Sequence, residues 1–106
     1  MTAAVGIISY LPENLHIRDK RWEILNKLIQ KCNQLFNIPI IVIAQNWGNL
    51  SLNYKNLIIK KYNKLGIVGA RKELRKVFLA SQYDYLIMLD DDCTLFGLSG
   101  KSIWSR

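Results

Sequence analysis

Residues Tyr85 to Leu89 form an apolar run that stops at three adjacent carboxylates, Asp90, Asp91 and Asp92. A short stretch apolar at successive positions predicts a strand buried on both faces, as in parallel sheets covered by helices. In open α/β sheets the carboxyl ends of such strands border the ligand crevice. Three neighbouring anions repel one another and gain nothing from burial. Their clustering at a strand end therefore points to a cation among them and an anionic group beyond it, read here as a metal ion and a phosphate. Residues two apart on an extended chain project the same way, so Asp90 and Asp92 address one site and Asp91 the opposite face of the sheet.

The rest of the chain alternates strand and helix signals without a repeat or a linker. Strands are predicted at Val5 to Ser9, Ile40 to Ala44 and Leu57 to Lys60, with helices near Arg18 to Phe36 and Gly66 to Ser81. The first helix places Trp22, Leu25, Leu28, Ile29, Cys32, Leu35 and Phe36 on one face, at the spacing of a buried stripe. Pro39 disfavours helical geometry at Ile38 and so marks where the chain turns into the β-branched strand beginning at Ile40. The second helix places Ile67, Ala70, Leu74, Val77 and Phe78 together, with Gly66 and Gly69 allowing close backbone approach near its start. Between Gln45 and Asn56 the chain is polar and rich in turn-forming residues. The order predicts an α/β, Rossmann-like fold: a largely parallel sheet with flanking helices.

At 106 residues the chain is expected to form one domain, residues 1–106, with one core. Its apolar stretches fall well short of the roughly 20 residues needed to span a bilayer, and no basic segment precedes the apolar start, so a cytoplasmic location is expected. Two cysteines, Cys32 and Cys93, are too few for a tetrahedral thiolate site and are read as reduced thiols. The net charge of +7 is concentrated: Lys55, Lys60, Lys61, Lys64, Arg71, Lys72, Arg75 and Lys76 share their segment with a single acid, Glu73. Such a field attracts phosphate-bearing molecules in general.

Each candidate has a plainer reading. An Asp-x-Asp also caps helices and starts turns. For Lys72, Arg75 and Lys76 a solvated helix face is the reading adopted. Arg71 lies at the edge of the apolar face, where a charge needs a partner; it and Lys64 are placed near the aspartates or a phosphate. The single histidine, His16, is read as an exposed residue in the loop after the first strand and rules out any multi-histidine site. Ser9 and Tyr10 end the first strand and are candidate ligand contacts. Trp47, in the loop after the second strand, is either a lid or a local plug.

Taken together, Ile7-Ile-Ser-Tyr10, the helix to Phe36, Asn63-Lys-Leu-Gly66, Ala70-Arg71 and the strand closing in Leu89-Asp-Asp-Asp92 resemble the nucleotide-sugar-binding half of GT-A-fold glycosyltransferases, the group that includes the inverting family 2. The resemblance implies that Asp90 contacts the ribose or the metal and that Asp92 ligates Mn²⁺ or Mg²⁺ across the diphosphate. It further implies that Arg71 orders the donor site and that Ser9 and Tyr10 lie against the nucleoside. Asp91 and Gln45 join the residues assigned to the nucleotide sugar, with a UDP-sugar as the expected donor. Gln45-Asn46 stands where the family often has an acidic residue that holds the base. Members of the family continue past Asp-x-Asp to an acceptor region and a general base, whereas residues 93–106 contain no carboxylate. The expectation is a donor-binding part of a longer enzyme, with an unknown acceptor and with an exposed sheet edge open to self-association. The alternatives are another Mg²⁺-dependent nucleotide enzyme, such as a nucleotidyltransferase, or a basic non-enzymatic module; nucleic acid is the weaker partner because no recognised binding motif is present.

Overall fold

A computed structural model describes residues 2–35, 37–90 and 101–105, the last five through their backbone. Seven elements follow one another: β1 (Ala3–Tyr10), α1 (Leu15–Leu35), β2 (Ile40–Gln45), β3 (Leu57–Tyr62), α2 (Gly66–Leu79), β4 (Tyr85–Asp90) and β5 (Lys101–Ser105). They form a sheet of order β3-β2-β1-β4-β5. The first four strands in that order are mutually parallel, and β5 runs antiparallel to β4. The predicted α/β, Rossmann-like arrangement is therefore present. The strand β5 has no counterpart among the predicted elements.

The parallel strands owe their composition to burial on two sides. Along β1 and β2, Val5, Ile7, Ile40, Val42 and Ala44 face α1 and pack with Leu25, Leu28, Ile29 and Cys32. The alternate residues Ala4, Ile41 and Ile43 face α2 and pack with Ala70, Leu74 and Phe78. Every residue of β2 is buried, which explains why its sequence is continuously apolar rather than alternating. The segment joining β2 to β3 contains no helix. Leu50, Leu52 and Tyr54 cover that part of the α1 face instead, and the Tyr54 hydroxyl donates to Asn26 Oδ1 at 2.6 Å.

Several local expectations change. α1 begins at Leu15, three residues before the predicted start, because Asn14 provides its cap: Asn14 Oδ1 accepts from the Ile17 N–H at 3.2 Å. His16 consequently sits in the first turn of α1, exposed, and not in a loop. Leu35, the last residue of α1, is 60% exposed and not part of the buried stripe, and Phe36 lies outside the described residues. Ile67 is 70% exposed; the α2-side core takes Ala70, Leu74 and Phe78 from this helix, with Val77 beside them.

The close approach assigned to Gly66 and Gly69 occurs at Gly6. A Cβ at Gly6 would stand 3.0 Å from both Leu74 δ-carbons and from Leu86 Cδ1, whereas one at Gly66 would meet nothing within 4 Å. Gly66 is required for another reason, its φ of +74°, a left-handed conformation that side chains disfavour. Gly69 is tight only against its own neighbour, with a Cβ 3.1 Å from Leu65 Cβ. Gly6→Val forces the buried Leu74 and Leu86 aside and is expected to cost about 1–3 kcal/mol of unfolding free energy. An unchanged urea midpoint would mean that α2 does not rest on β1 through this glycine.

Candidate functional site

The chain leaves β1 through α1 on one face of the sheet and returns to β4 through α2 on the other. The carboxyl ends of β1 and β4 therefore flank the point where the connections diverge, the usual position of a ligand crevice in open α/β sheets. A cavity of about 360 Å³ opens there, lined among others by Ile8, Tyr10, Gln45, Lys64, Arg71 and Asp90. That volume suits a small organic ligand.

Strand alternation brings Asp90 to this cavity. Leu86 and Met88 pack on the α2 face, and Asp90 follows at the same parity as the exposed final residue of β4. Arg71 reaches the cavity from the second turn of α2, and Lys64 from the segment just before it. The ammonium of Lys64 lies 5.5 Å from the centre of the Tyr10 ring, within cation–π range. Arg21, from α1, also lines the cavity. Three cations and one carboxylate thus surround it among the described lining residues, and its potential favours anions.

The start of α2 adds to that field. No side chain caps its N-terminus and its first turn holds no acidic residue, so its leading amides keep their partial positive charge toward the cavity. Gly66 and Ile67, the first two residues of the helix, line the same cavity. Helix N-termini so placed favour phosphate oxygens.

Of the other predicted residues, Gln45 also borders the cavity, whereas Ser9 and Trp47 do not. Ser9 is completely buried, and its hydroxyl accepts from the Trp47 indole at 3.0 Å. Trp47 is 1% exposed, meets Trp22 edge to face with centroids 4.9 Å apart, and is thus a plug and not a lid. Gln45 is 3% exposed; its amide nitrogen donates to Ser9 O at 3.2 Å and its amide oxygen accepts from the Leu65 N–H at 3.0 Å. Asp91, Asp92 and Cys93 lie outside the described residues. Among the described residues no cluster of three His, Cys, Asp or Glu side chains exists. Asp90 and Arg71 form no ion pair with one another, so the partner expected for Arg71 is not a described protein carboxylate.

Arg18, which the sequence did not single out, and Asn46, which it placed only beside the base, hold the rim together. Arg18 donates to Leu11 O, Pro12 O and Trp47 O, tying the segments after β1 and β2. Asn46, at φ +60°, donates from its side chain to Leu11 O at 2.7 Å. An asparagine directly after a strand was the available signal, because this residue type tolerates left-handed backbone. Lys72, Arg75 and Lys76 face solvent as expected, with Lys76 3.5 Å from Glu73.

Glu73 also accepts from the Tyr62 hydroxyl at 3.0 Å, joining α2 to the edge strand β3. Partial burial, this hydrogen bond and the glutamate charge, in that order, raise the Tyr62 phenol above its ordinary value of 10.0. A raised acid favours the folded state while it stays protonated. Its contribution is complete below pH about 10 and disappears as the pH climbs through the raised value. Tyr62→Phe is expected to flatten the alkaline limb of a stability–pH profile; a limb unchanged between the two proteins would remove Tyr62 as its source.

Among the described residues no helix is long and apolar enough to cross a membrane. A scan against protein-family models finds no match to this chain, and a search of curated proteins likewise returns none.

Proposed function

We propose that this chain binds the diphosphate of a nucleotide sugar and forms the donor-binding part of a GT-A-type glycosyltransferase. The observation that carries the reading is the meeting, in one cavity at the switch point of a parallel sheet, of Asp90, Arg71, Lys64, Tyr10 and the uncapped start of α2. Arg71, Lys64 and the α2 amides bind the phosphates by charge and hydrogen bonding. Tyr10 offers a ring face to the nucleoside, from which Lys64 moves toward the phosphates when the ring is covered.

The donor set fits a hard divalent cation. Asp90 presents exposed carboxylate oxygen to a cavity lined by no cysteine or histidine among its described residues, and hard oxygen is what Mg²⁺ and Mn²⁺ prefer. Asp90 and Asp92 are the residues that would hold it. When bound, such an ion neutralises charge developing on the leaving nucleoside diphosphate. Arg71 supports the same charge from the opposite wall, and an acceptor hydroxyl then replaces the diphosphate on the sugar.

Calorimetric titration with UDP, with and without Mn²⁺, tests the reading. Manganese-dependent binding that disappears in Asp92→Ala is the expected result. Tighter binding of nucleoside triphosphates than of UDP and UDP-sugars would favour a nucleotidyltransferase. Binding that is indifferent to Asp92 and falls steeply with salt would favour the basic-module reading.

A further inference from the structure

Gln45 is assigned to the nucleotide by the sequence, and its position at the end of β2 is where the resemblance places the base. Its hydrogen bonds point elsewhere. The amide bridges two backbone segments that are distant in sequence, Ser9 near the end of β1 and Leu65 immediately before α2. The orientation is unambiguous, because the Ser9 carbonyl demands a donor and the Leu65 N–H demands an acceptor. Gln45 borders the cavity, but its amide oxygen and nitrogen are already engaged, and at 3% exposure the second hydrogen and second lone pair present little surface to a ligand.

The place it grips is consequential. Leu65 is followed by Gly66 at φ +74°, a joint without side-chain restraint, and then by the first turn of α2 with no side-chain cap. Leu65 itself packs only partly into the α2-side core. The Gln45 bond is therefore a polar fixture for the point from which α2 departs. Lys64 and Arg71 flank that point on either side, and Tyr10 directly follows Ser9 at the other end of the bridge. The buried amide thus ties the ring-bearing strand to the cationic wall of the cavity at its mouth, beyond the apolar packing of α2 on β1 at Gly6 and Leu74.

We infer that Gln45 is a positioning residue: it clamps the end of β1 to the start of α2 and so presets the phosphate-binding wall, without contacting the base. The inference rests on the nucleotide-binding reading above. It implies that the site selects its ligand chiefly by phosphates: with the Gln45 amide engaged by the backbone, the uncharged side chains left to meet a base are the Tyr10 ring and apolar groups such as Ile8 and Met88, which do not distinguish one base from another.

The test compares UDP, GDP and ADP titrated into the wild-type protein, Gln45→Leu and Gln45→Glu, with amide hydrogen exchange measured on the unliganded proteins. Gln45→Leu loses both hydrogen bonds. Gln45→Glu keeps an acceptor for Leu65 but cannot donate to Ser9 when ionised, and it would offer a uracil N–H a new acceptor if this side chain faced the base. The expected result is a uniform loss of about fivefold or more for all three nucleotides in each variant. Their affinity ratios should stay as in the wild type, and exchange should accelerate at Leu65 and the first turn of α2. A changed ratio in either variant would overturn the inference in favour of base reading, and so would unchanged affinity. Should the wild type bind none of the three nucleotides, the nucleotide reading falls and the base-independent positioning role falls with it. The exchange data then show separately whether the clamp exists: unchanged exchange at Leu65 would remove that as well. If Gln45→Leu does not fold, Gln45→Glu carries the same comparison.

Discussion

Trp47→Ala is expected to lower unfolding free energy by about 3–5 kcal/mol, the usual cost of deleting a large buried aromatic. A domain of this size holds only about 5–15 kcal/mol in all, so the variant stands near the edge of folding. The side chain is among the largest that are fully buried, and it performs three tasks at once. It fills the α1-side core, meets Trp22 edge to face, and donates its indole N–H to the buried Ser9 hydroxyl. Trp47→Phe retains an aromatic ring in the core while removing the hydrogen bond. It keeps an aromatic ring but loses the indole donor and some buried volume, for which about 1–3 kcal/mol is expected, less than for Trp47→Ala, with Ser9 left short of a partner. Urea unfolding of the three proteins measures both. A cost below about 1 kcal/mol for Trp47→Ala would show that the residue is not a plug but a surface the protein can spare.

The second large effect concerns ligand binding and has opposite signs for two neighbours. Asp90 is exposed and bonded to no described residue, so Asp90→Ala should leave stability within about 0.5 kcal/mol. With Mn²⁺ present, UDP affinity should fall at least about tenfold, or about 1.4 kcal/mol, through loss of an oxygen ligand. Without metal the same substitution should strengthen UDP binding, because it removes the one described carboxylate from a cavity lined by Arg21, Lys64 and Arg71. Arg71→Ala should weaken binding under both conditions, since the guanidinium acts on the phosphates directly. Calorimetry at two manganese concentrations resolves the crossing. Parallel losses for Asp90→Ala with and without metal would mean that the carboxylate contacts the nucleotide and not a cation.

The two predictions address residues that differ in how far the sequence disclosed them. Asp90 was legible because strand parity is a local property: an apolar strand with alternating faces determines where its last residue points. Arg71 was legible in the same manner from helical spacing, although its expected carboxylate partner is not among the described residues. Trp47 was left between lid and plug. That choice depends on Ser9 and Trp22, which are 38 and 25 positions earlier in the chain, and no local pattern encodes such a meeting. Gln45 was placed at the correct strand end but given a ligand. Its real partners, Ser9 and Leu65, come from different parts of the chain and meet only when β1, β2 and α2 have assembled.

Glycine shows the same division. The backbone role of Gly66 could be suspected from its place before a helix, but whether a glycine serves conformation or proximity is decided by what stands opposite it. At Gly6 the answer is Leu74 and Leu86, both distant in sequence.

Hydrophobic periodicity and turn chemistry, which act over a few residues, were enough to determine the α/β class, the parallel strands and the strand end that carries the aspartates. The strand order, the antiparallel β5, the plugged tryptophan and the clamp at Gln45 were decided only by tertiary structure. Each depends on contacts between segments far apart in the chain, whose closure is governed by the packing of the whole sheet and not by the preferences of the residues concerned.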